Sequence, residues 1–171
     1  EAMHFMLLEH DLAKRPGLLR RGDVYVRDDR RGLAVYQGPP AGEVFGLVEE
    51  LIGTLTDKSG DSPMVAGAMA HLNLVMIHPF ADGNGRMARA VQTAVLAREQ
   101  ITDPIFASIE EWLGANTQDY YDVLAATGHG RWSPDRDATL WLRFILRAHH
   151  MQAQTLERRL TEASGLWEAF D

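Results

Sequence analysis

Cysteine is missing from all 171 residues. That excludes a disulfide scaffold, a thiol nucleophile and any thiolate-ligated zinc or iron–sulfur centre, and it fits a cytoplasmic location. Long apolar runs are missing too. No stretch approaches the ~20 residues that a membrane span needs, and the opening Glu1-Ala2-Met3-His4 lacks the basic-then-apolar layout of a signal peptide. Positive charge is scarce: 17 Lys+Arg against 24 Asp+Glu leave a net charge of −7. A surface dedicated to duplex nucleic acid would be basic, so that class is excluded, whereas one small cationic pocket stays open. Repeats and low-complexity tracts do not occur. What is present is ordinary for a soluble domain, with 46% hydrophobic and 24% charged residues. A chain of this length makes one domain whose core needs no metal or disulfide staple. Its first residue is Glu rather than Met, which we read as the start of a piece of a longer protein.

The pattern is mainly α, with one small β-hairpin. Met3, Phe5, Met6, Leu7, Leu8 and Leu12 predict a helix over 1–14, ended by Pro16-Gly17. Val24-Tyr25-Val26 and Leu33-Ala34-Val35-Tyr36 are β-rich runs around a charged, Gly-containing turn, and Gly38-Pro39-Pro40 closes the pair. Val44, Phe45, Leu47, Val48, Leu51, Ile52 and Leu55 predict the apolar face of a helix from about 42, with Glu43, Glu49 and Glu50 outward. Ser62 and Pro63 suit the N-cap and first turn of a helix reaching Ile77, whose broad apolar face puts it at the centre of the core. His78-Pro79 stops it, because proline disfavours helical geometry in the residue before it. Further helices are expected over about 84–99, 105–113, 116–126 and 137–163, with 164–171 a tail or the start of a linker.

Between two apolar helices stands His78-Pro79-Phe80-Ala81-Asp82-Gly83-Asn84-Gly85-Arg86-Met87-Ala88-Arg89. A plain connector has no use for so many chemical groups. Gly83 and Gly85 allow conformations closed to other residues and let a ligand approach the main chain. They stand where a helix begins, so unpaired N–H groups and the positive end of the dipole converge on an anion site. Arg86 and Arg89 share a helix face and can fork onto phosphate oxygens. Asp82 is a hard oxygen ligand suited to Mg²⁺, which takes one or two carboxylates plus substrate phosphates. His78, at the other end of the loop, can accept a proton near neutral pH. Together these parts describe phosphoryl or nucleotidyl transfer: a metal and backbone donors hold a polyphosphate while a histidine deprotonates an incoming hydroxyl.

The same string resembles the signature of the Fic (Fic/Doc) family, H-P-F-x-[D/E]-G-N-G-R-x-x-R, at every specified position. Pro16-Gly17-Leu18-Leu19-Arg20 ahead of the hairpin resembles the family's P-G-x-x-R and its substrate-docking flap. The helix after Gly38-Pro39-Pro40 resembles the segment that follows the flap, and Tyr120-Tyr121-x-x-Leu124 resembles the later helix that lines the nucleotide pocket. The resemblance spans about 5–148, within a domain taken as 1–163. It implies a Fic-like helical bundle with one hairpin flap, and AMP transfer from ATP to a Ser, Thr or Tyr hydroxyl of a target protein. His78 is then the general base and Asp82 the Mg²⁺ ligand. Gly83, Asn84 and Gly85 form the anion hole, and Arg86 and Arg89 hold the β- and γ-phosphates. The flap, Leu33–Gln37, aligns the target by strand addition, and Tyr120, Tyr121 and Leu124 pack near the adenosine. The implied partners are ATP and a protein substrate, with no membrane and no nucleic acid; a homodimer is compatible. Thr127 stands where the family often has a base-bonding asparagine. The family's inhibitory [S/T]-x-x-x-E-[G/N] helix has only an incomplete counterpart in Ser164, Glu168 and Ala169, and is expected instead upstream of Glu1.

Competing motifs fail on context. G-x-G-x-x-A also fits 83–88, but a dinucleotide fingerprint must follow a strand, and here a helix and His-Pro precede it. A calcium loop from Asp82 has Arg86 at its fifth position and no Glu at its twelfth. Two functional alternatives stay open: the same site with another nucleotide donor, and a non-enzymatic nucleotide-sensing or docking module of a larger transcriptional regulator. Elsewhere, His71 reads as a core histidine and His149 and His150 as surface residues. Trp112, Trp132 and Trp141 read as core aromatics, and Met64, Met69 and Met76 as core filler. Arg143, Arg147, Arg158 and Arg159 suit the solvated side of the last helix.

Overall fold

The structure, a computed structural model, describes residues 1–28, 33–56, 62–100 and 108–168. Among these, the helices are α1 (Ala2–Leu8), α2 (Val44–Thr56), α3 (Pro63–Ile77), α4 (Asn84–Arg98), α5 (Glu110–Ala115), α6 (Thr117–Gly128) and α7 (Thr139–Glu168). One antiparallel hairpin joins them, β1 (Tyr25–Asp28) with β2 (Leu33–Gln37), Val26 opposite Tyr36 and an irregularity between Val26 and Arg27. The mainly α architecture with a single flap is as expected. Among the described residues no helix is long and apolar enough to cross a membrane.

Apolar all round, α3 is enclosed on both sides. Ala68, Leu72 and Met76 pack with Leu113, Tyr120, Leu124, Trp141 and Ile145. Ala70, Leu74 and Ile77 pack instead with Val44, Leu51, Phe80 and Met87. Trp141 is fully buried, and its Nε1–H donates to the Ala68 carbonyl at 2.7 Å, so its one polar atom is satisfied. Because two clusters grip α3, its C-terminal end, where His78 stands, is held from both sides.

Three elements depart from the sequence pattern. Helix α1 ends at Leu8, because Asp11 accepts the Ala13 N–H at 3.2 Å and starts a separate 3₁₀ turn, Leu12–Lys14. Of its side chains only His4 and Leu8 are buried, while Met6 is 74% exposed, so counting apolar residues there overstated the helix. In α2, Phe45 and Ile52 face outward despite their spacing. Helix α7 runs on to Glu168, past the expected end at 163, since one glycine at 165 costs only ~1 kcal/mol and does not stop a helix. The turns expected at 29–32 and 57–61, the helix start expected at 105 and the end of the 164–169 hexapeptide lie outside the described residues.

A buried polar chain crosses the bundle. His71 donates Nδ1–H to Gln92 Oε1 at 2.6 Å and accepts the Tyr120 hydroxyl on Nε2 at 3.0 Å. Gln92 in turn donates Nε2–H to His149 Nε2 at 2.7 Å. His149 is therefore a member of this network, not a surface residue; His150 beside it is exposed. Burial brings both His71 and His149 down to about 4 from the ordinary 6.5. Between those values the unfolded chain binds more protons than the native one, so native stability falls as pH falls. Thermal unfolding followed from pH 6.5 to pH 4 is expected to show this loss, at up to about 1.4 kcal/mol per pH unit for each histidine. His149→Gln is expected to flatten the slope, and a melting temperature constant over that range would contradict the assignment.

Candidate active site

At the end of α3 the chain leaves the helix through His78, left-handed at φ 52°, whose N–H bonds the Leu74 carbonyl at 3.0 Å. His78 Nδ1 lies 3.2 Å from the Val75 carbonyl, which can only accept, so the ring proton sits on Nδ1. The Nε2 lone pair is thereby left to act. Burial lowers the His78 pKa, the Val75 bond opposing, so the imidazole is neutral at physiological pH.

The next helix opens on Gly83, left-handed at φ 79°. A Cβ there would lie 3.0 Å from Leu8 Cδ1 and 3.4 Å from His4 Nε2, so only glycine fits. Gly85 differs from expectation: it lies inside α4, and a Cβ would meet only Arg89 Nη1, at 3.4 Å. The first intrahelical bond runs from the Met87 N–H to the Gly83 carbonyl at 2.9 Å. The N–H groups of Asn84, Gly85 and Arg86 therefore precede the ladder and converge where the dipole is positive. The buried Asn84 side chain faces elsewhere, clasping the Phe80 N–H and C=O at 2.9 Å each, which leaves its backbone N–H for a ligand.

Arg86 and Arg89 line one cleft of about 530 Å³ with Leu7, Thr93, Ser108 and Glu110. Arg89 Nε donates to Glu110 Oε1. The adjacent Glu111 points away and grips Arg159 (2.9 and 2.5 Å) and Gln152 (3.2 Å), tying α5 to α7. Asp82 stands at the rim. Its Oδ1 accepts the Gly83 N–H at 2.6 Å, and its Oδ2 lies 2.6 Å from Lys14 Nζ and 3.7 Å from Arg86 Nη2. The Lys14 bond is the main cause that lowers the Asp82 pKa. Among the described residues no three His, Cys, Asp or Glu side chains gather as a metal cage. Asp82, one hard carboxylate beside the start of α4, could hold Mg²⁺ only where phosphates supplied further ligands.

The loop between these groups is held by residues whose part in holding it the sequence alone did not show. Arg20, buried, donates Nε to the His78 carbonyl (2.8 Å), Nη1 to Gly22 (2.7 Å) and Nη2 to Pro39 (2.6 Å) and Ile77 (3.4 Å). Its own N–H bonds the Pro79 carbonyl at 2.9 Å. His4, fully buried, stacks on Phe80 with ring centroids 3.6 Å apart and donates Nε2–H to the Asp82 carbonyl at 2.9 Å. The Tyr36 hydroxyl donates to the Met76 carbonyl at 2.8 Å and fastens the flap to the end of α3. Arg20 belonged to a recognisable P-G-x-x-R; His4, Lys14 and Glu110 carried no sequence signal.

The other expected residues sit as follows. Tyr120 is buried against His71, and burial raises its pKa, the nearby Arg89 opposing. Tyr121 is exposed and packs edge-on against Tyr120, centroids 5.3 Å apart; Leu124 is in the core. None of these three lines the arginine cleft. Among the described residues buried Thr127 Oγ1 finds no hydrogen-bond partner, and Thr127 borders a second cavity of about 30 Å³ with Tyr36, Asn73 and Met76. On the flap, the Gln37 backbone is engaged by the Gly130 carbonyl (2.9 Å) and the Trp132 N–H (3.0 Å).

Fold and site define a helical bundle whose central helix ends in a histidine and is followed, across a short loop, by a glycine-led helix start. Residues 1–96 match the Fic/DOC family. The chain is 32% identical over 145 residues to the protein adenylyltransferase Fic of Aedes aegypti, covering 84% of this chain and 25% of that one. With the same-named protein of Culex quinquefasciatus it shares 31% over 145 residues, at the same coverage. Among solved structures, a Fic family protein from Desulfovibrio desulfuricans G20 superposes with a TM-score of 0.77 at 31% identity, over 92% of this chain and 46% of that one. Fic-1 from C. elegans, at 22% identity and a TM-score of 0.64 over 94% of this chain and 43% of that one, shares the fold. The chain belongs to the Fic/DOC family. It spans a quarter or less of the length of the curated relatives it matches.

Proposed function

We propose that this chain transfers AMP from ATP to a Ser, Thr or Tyr hydroxyl of a target protein. The observation that carries the reading is the His78 Nε2 lone pair at one end of a loop whose other end offers three helix-start N–H groups and two arginines. The name of the relatives, protein adenylyltransferase, supports the same reaction. In this reading the polyphosphate lies on the N–H groups of Asn84, Gly85 and Arg86, and Arg86 and Arg89 grip its outer phosphates. The target hydroxyl attacks the α-phosphorus and gives its proton to His78 Nε2; the bond from that phosphorus to the β-phosphate oxygen breaks, and pyrophosphate leaves. Asp82 would hold Mg²⁺, which when bound offsets charge on the leaving group. Tyr120, Tyr121 and Leu124 serve the adenosine in this reading. Because Gln37 is engaged within the chain, strand addition by the target uses residues 33–36 of the flap.

The test uses ATP labelled at either the α or the γ phosphorus, with a protein acceptor and Mg²⁺. Label from the α position is expected on the acceptor, and label from the γ position in pyrophosphate. Transfer of γ-label, or no α-label transfer from any nucleoside triphosphate, would contradict the reading. Thr127, with its orphaned hydroxyl in place of asparagine, favours a second donor choice, and unlabelled GTP, UTP and CTP added as competitors decide it.

Two predictions follow from the site. The base form of His78 is already present at neutral pH, and its pKa lies below the ordinary value of about 6.5. The acid limb of kcat/KM against pH is therefore expected below that value, whereas a limb above about 6.5 would contradict an unprotonated imidazole in the free protein. Separately, Glu110 competes with phosphate for Arg89. Glu110→Gln is expected to tighten ATP binding by about three- to fivefold in calorimetric titration, as for a partly exposed ion pair. Unchanged or weaker binding would show that Glu110 and the nucleotide do not share Arg89.

A further inference from the structure

One buried imidazole joins two segments distant in sequence. His4 accepts the Gly17 N–H on Nδ1 at 2.8 Å and donates Nε2–H to the Asp82 carbonyl at 2.9 Å. The turn just before Gly17, Leu12–Lys14, is closed at its start by Asp11. At its end Arg15, left-handed at φ 54°, bonds its N–H to the Leu12 carbonyl at 3.0 Å. These restraints deliver Lys14 to the rim of the anion cradle. Its Nζ lies 2.6 Å from Asp82 Oδ2, with Asp11 Oδ2 the more distant neighbour at 4.0 Å.

Stability does not explain that placement. The Lys14 and Asp82 side chains are 40% and 43% exposed, and such pairs contribute little to folding. Lys14, Arg86 and Arg89 set three cations against the two carboxylates of Asp82 and Glu110 at the positive end of α4, which leaves a net positive charge where a further anion is favoured. A lysine ammonium is a compact charge on a flexible stem, so it can change partners as an arginine fork cannot. Lys14 already occupies one oxygen of the Asp82 carboxylate, so a divalent cation held by Asp82 would have to share that carboxylate with the ammonium.

Resting on the polyphosphate reading above, we propose that Lys14 is a further phosphate-binding residue, seated on the Asp82 carboxylate in the nucleotide-free protein and passing to a phosphate oxygen of the nucleotide when Asp82 would hold a divalent cation. Lys14 thus opposes cation binding to the nucleotide-free protein and favours nucleotide binding once the cation is present. An ordinary surface ion pair would do neither. A diffuse field effect would be reproduced by removing the neighbouring charge of Arg15.

The experiment compares the parent chain with Lys14→Met, Lys14→Gln and Arg15→Met. Mn²⁺ binding without nucleotide is read by electron paramagnetic resonance, and ATP binding with Mg²⁺ by calorimetry. Both Lys14 variants are expected to bind Mn²⁺ more tightly and ATP more weakly, each by about three- to fivefold, while Arg15→Met moves neither. Shifts of the same sign, no shift, or an equal effect of Arg15→Met would overturn the assignment. If the parent binds ATP and only these shifts are missing, the Lys14 assignment fails alone; a parent that binds no ATP defeats the polyphosphate reading and this one with it.

Discussion

Transfer by a His78→Ala protein is expected to fall about 10²–10⁴-fold, the usual contribution of a positioned general base, with ATP affinity nearly unchanged. The two effects separate because the imidazole and the cradle are built from different elements. The ring belongs to the end of α3; the proposed anion site is the main chain at the start of α4. The His78 backbone is pinned independently of its ring, by the Leu74 carbonyl on its N–H and by Arg20 on its C=O. Since position 78 is left-handed at φ 52°, alanine carries a strain of roughly 1–2 kcal/mol there. His78→Asn, which tolerates that conformation better, is the matching control. Single-turnover label transfer and calorimetry with ATP check both parts. Either variant keeping more than about a tenth of the parent rate would remove His78 from the chemistry.

The second large effect is structural. Arg20→Met is expected to destabilise the chain by about 3 kcal/mol or more, because buried carbonyls of Ile77, His78 and Pro39 lose their donor together. For a chain of this size that is roughly a 6–12 °C drop in melting temperature. Burial lowers the Arg20 pKa, but a guanidinium stays charged in proteins, and its charge also complements the C-terminal end of α3. Arg20→Lys keeps the charge without the planar fork and is expected to fall between parent and methionine. Because Arg20 holds His78 and, through Pro39, the chain just after the flap, the folded fraction of Arg20→Met is also expected to transfer more slowly at equal ATP affinity. A melting temperature within about 2 °C of the parent would contradict this account of Arg20.

Where the family's signature is local in sequence, it was legible there. The 78–89 string carried its own logic, and Pro63 and His78-Pro79 bounded α3 correctly, since proline constrains its immediate neighbours. The hairpin followed from two β-rich runs and the helices from apolar spacing. Illegible were the contacts that close over long stretches of chain: His4 on Asp82, Arg20 on Ile77 and His78, Gln92 between His71 and His149. A histidine on a polar-looking helix gives no hint that a glutamine 57 positions earlier donates a hydrogen bond to it. Glu110 and Glu111 are alike in sequence, yet only the packing of α5 on α7 sends one to Arg159 and the other to Arg89. The special conformation expected at Gly85 is absent, because a glycine beside a left-handed one need not be left-handed itself.

Calorimetric titration of the parent chain with AMP, ADP and ATP in the presence of Mg²⁺ tests the cradle at the mouth of α4 most directly. If backbone N–H groups and arginines hold the phosphate chain, affinity rises with each added phosphate, ATP exceeding AMP by about tenfold or more from the added charge-assisted bonds. Equal affinity for all three nucleotides, or binding of none, would contradict a polyphosphate site at Gly83 and Arg89.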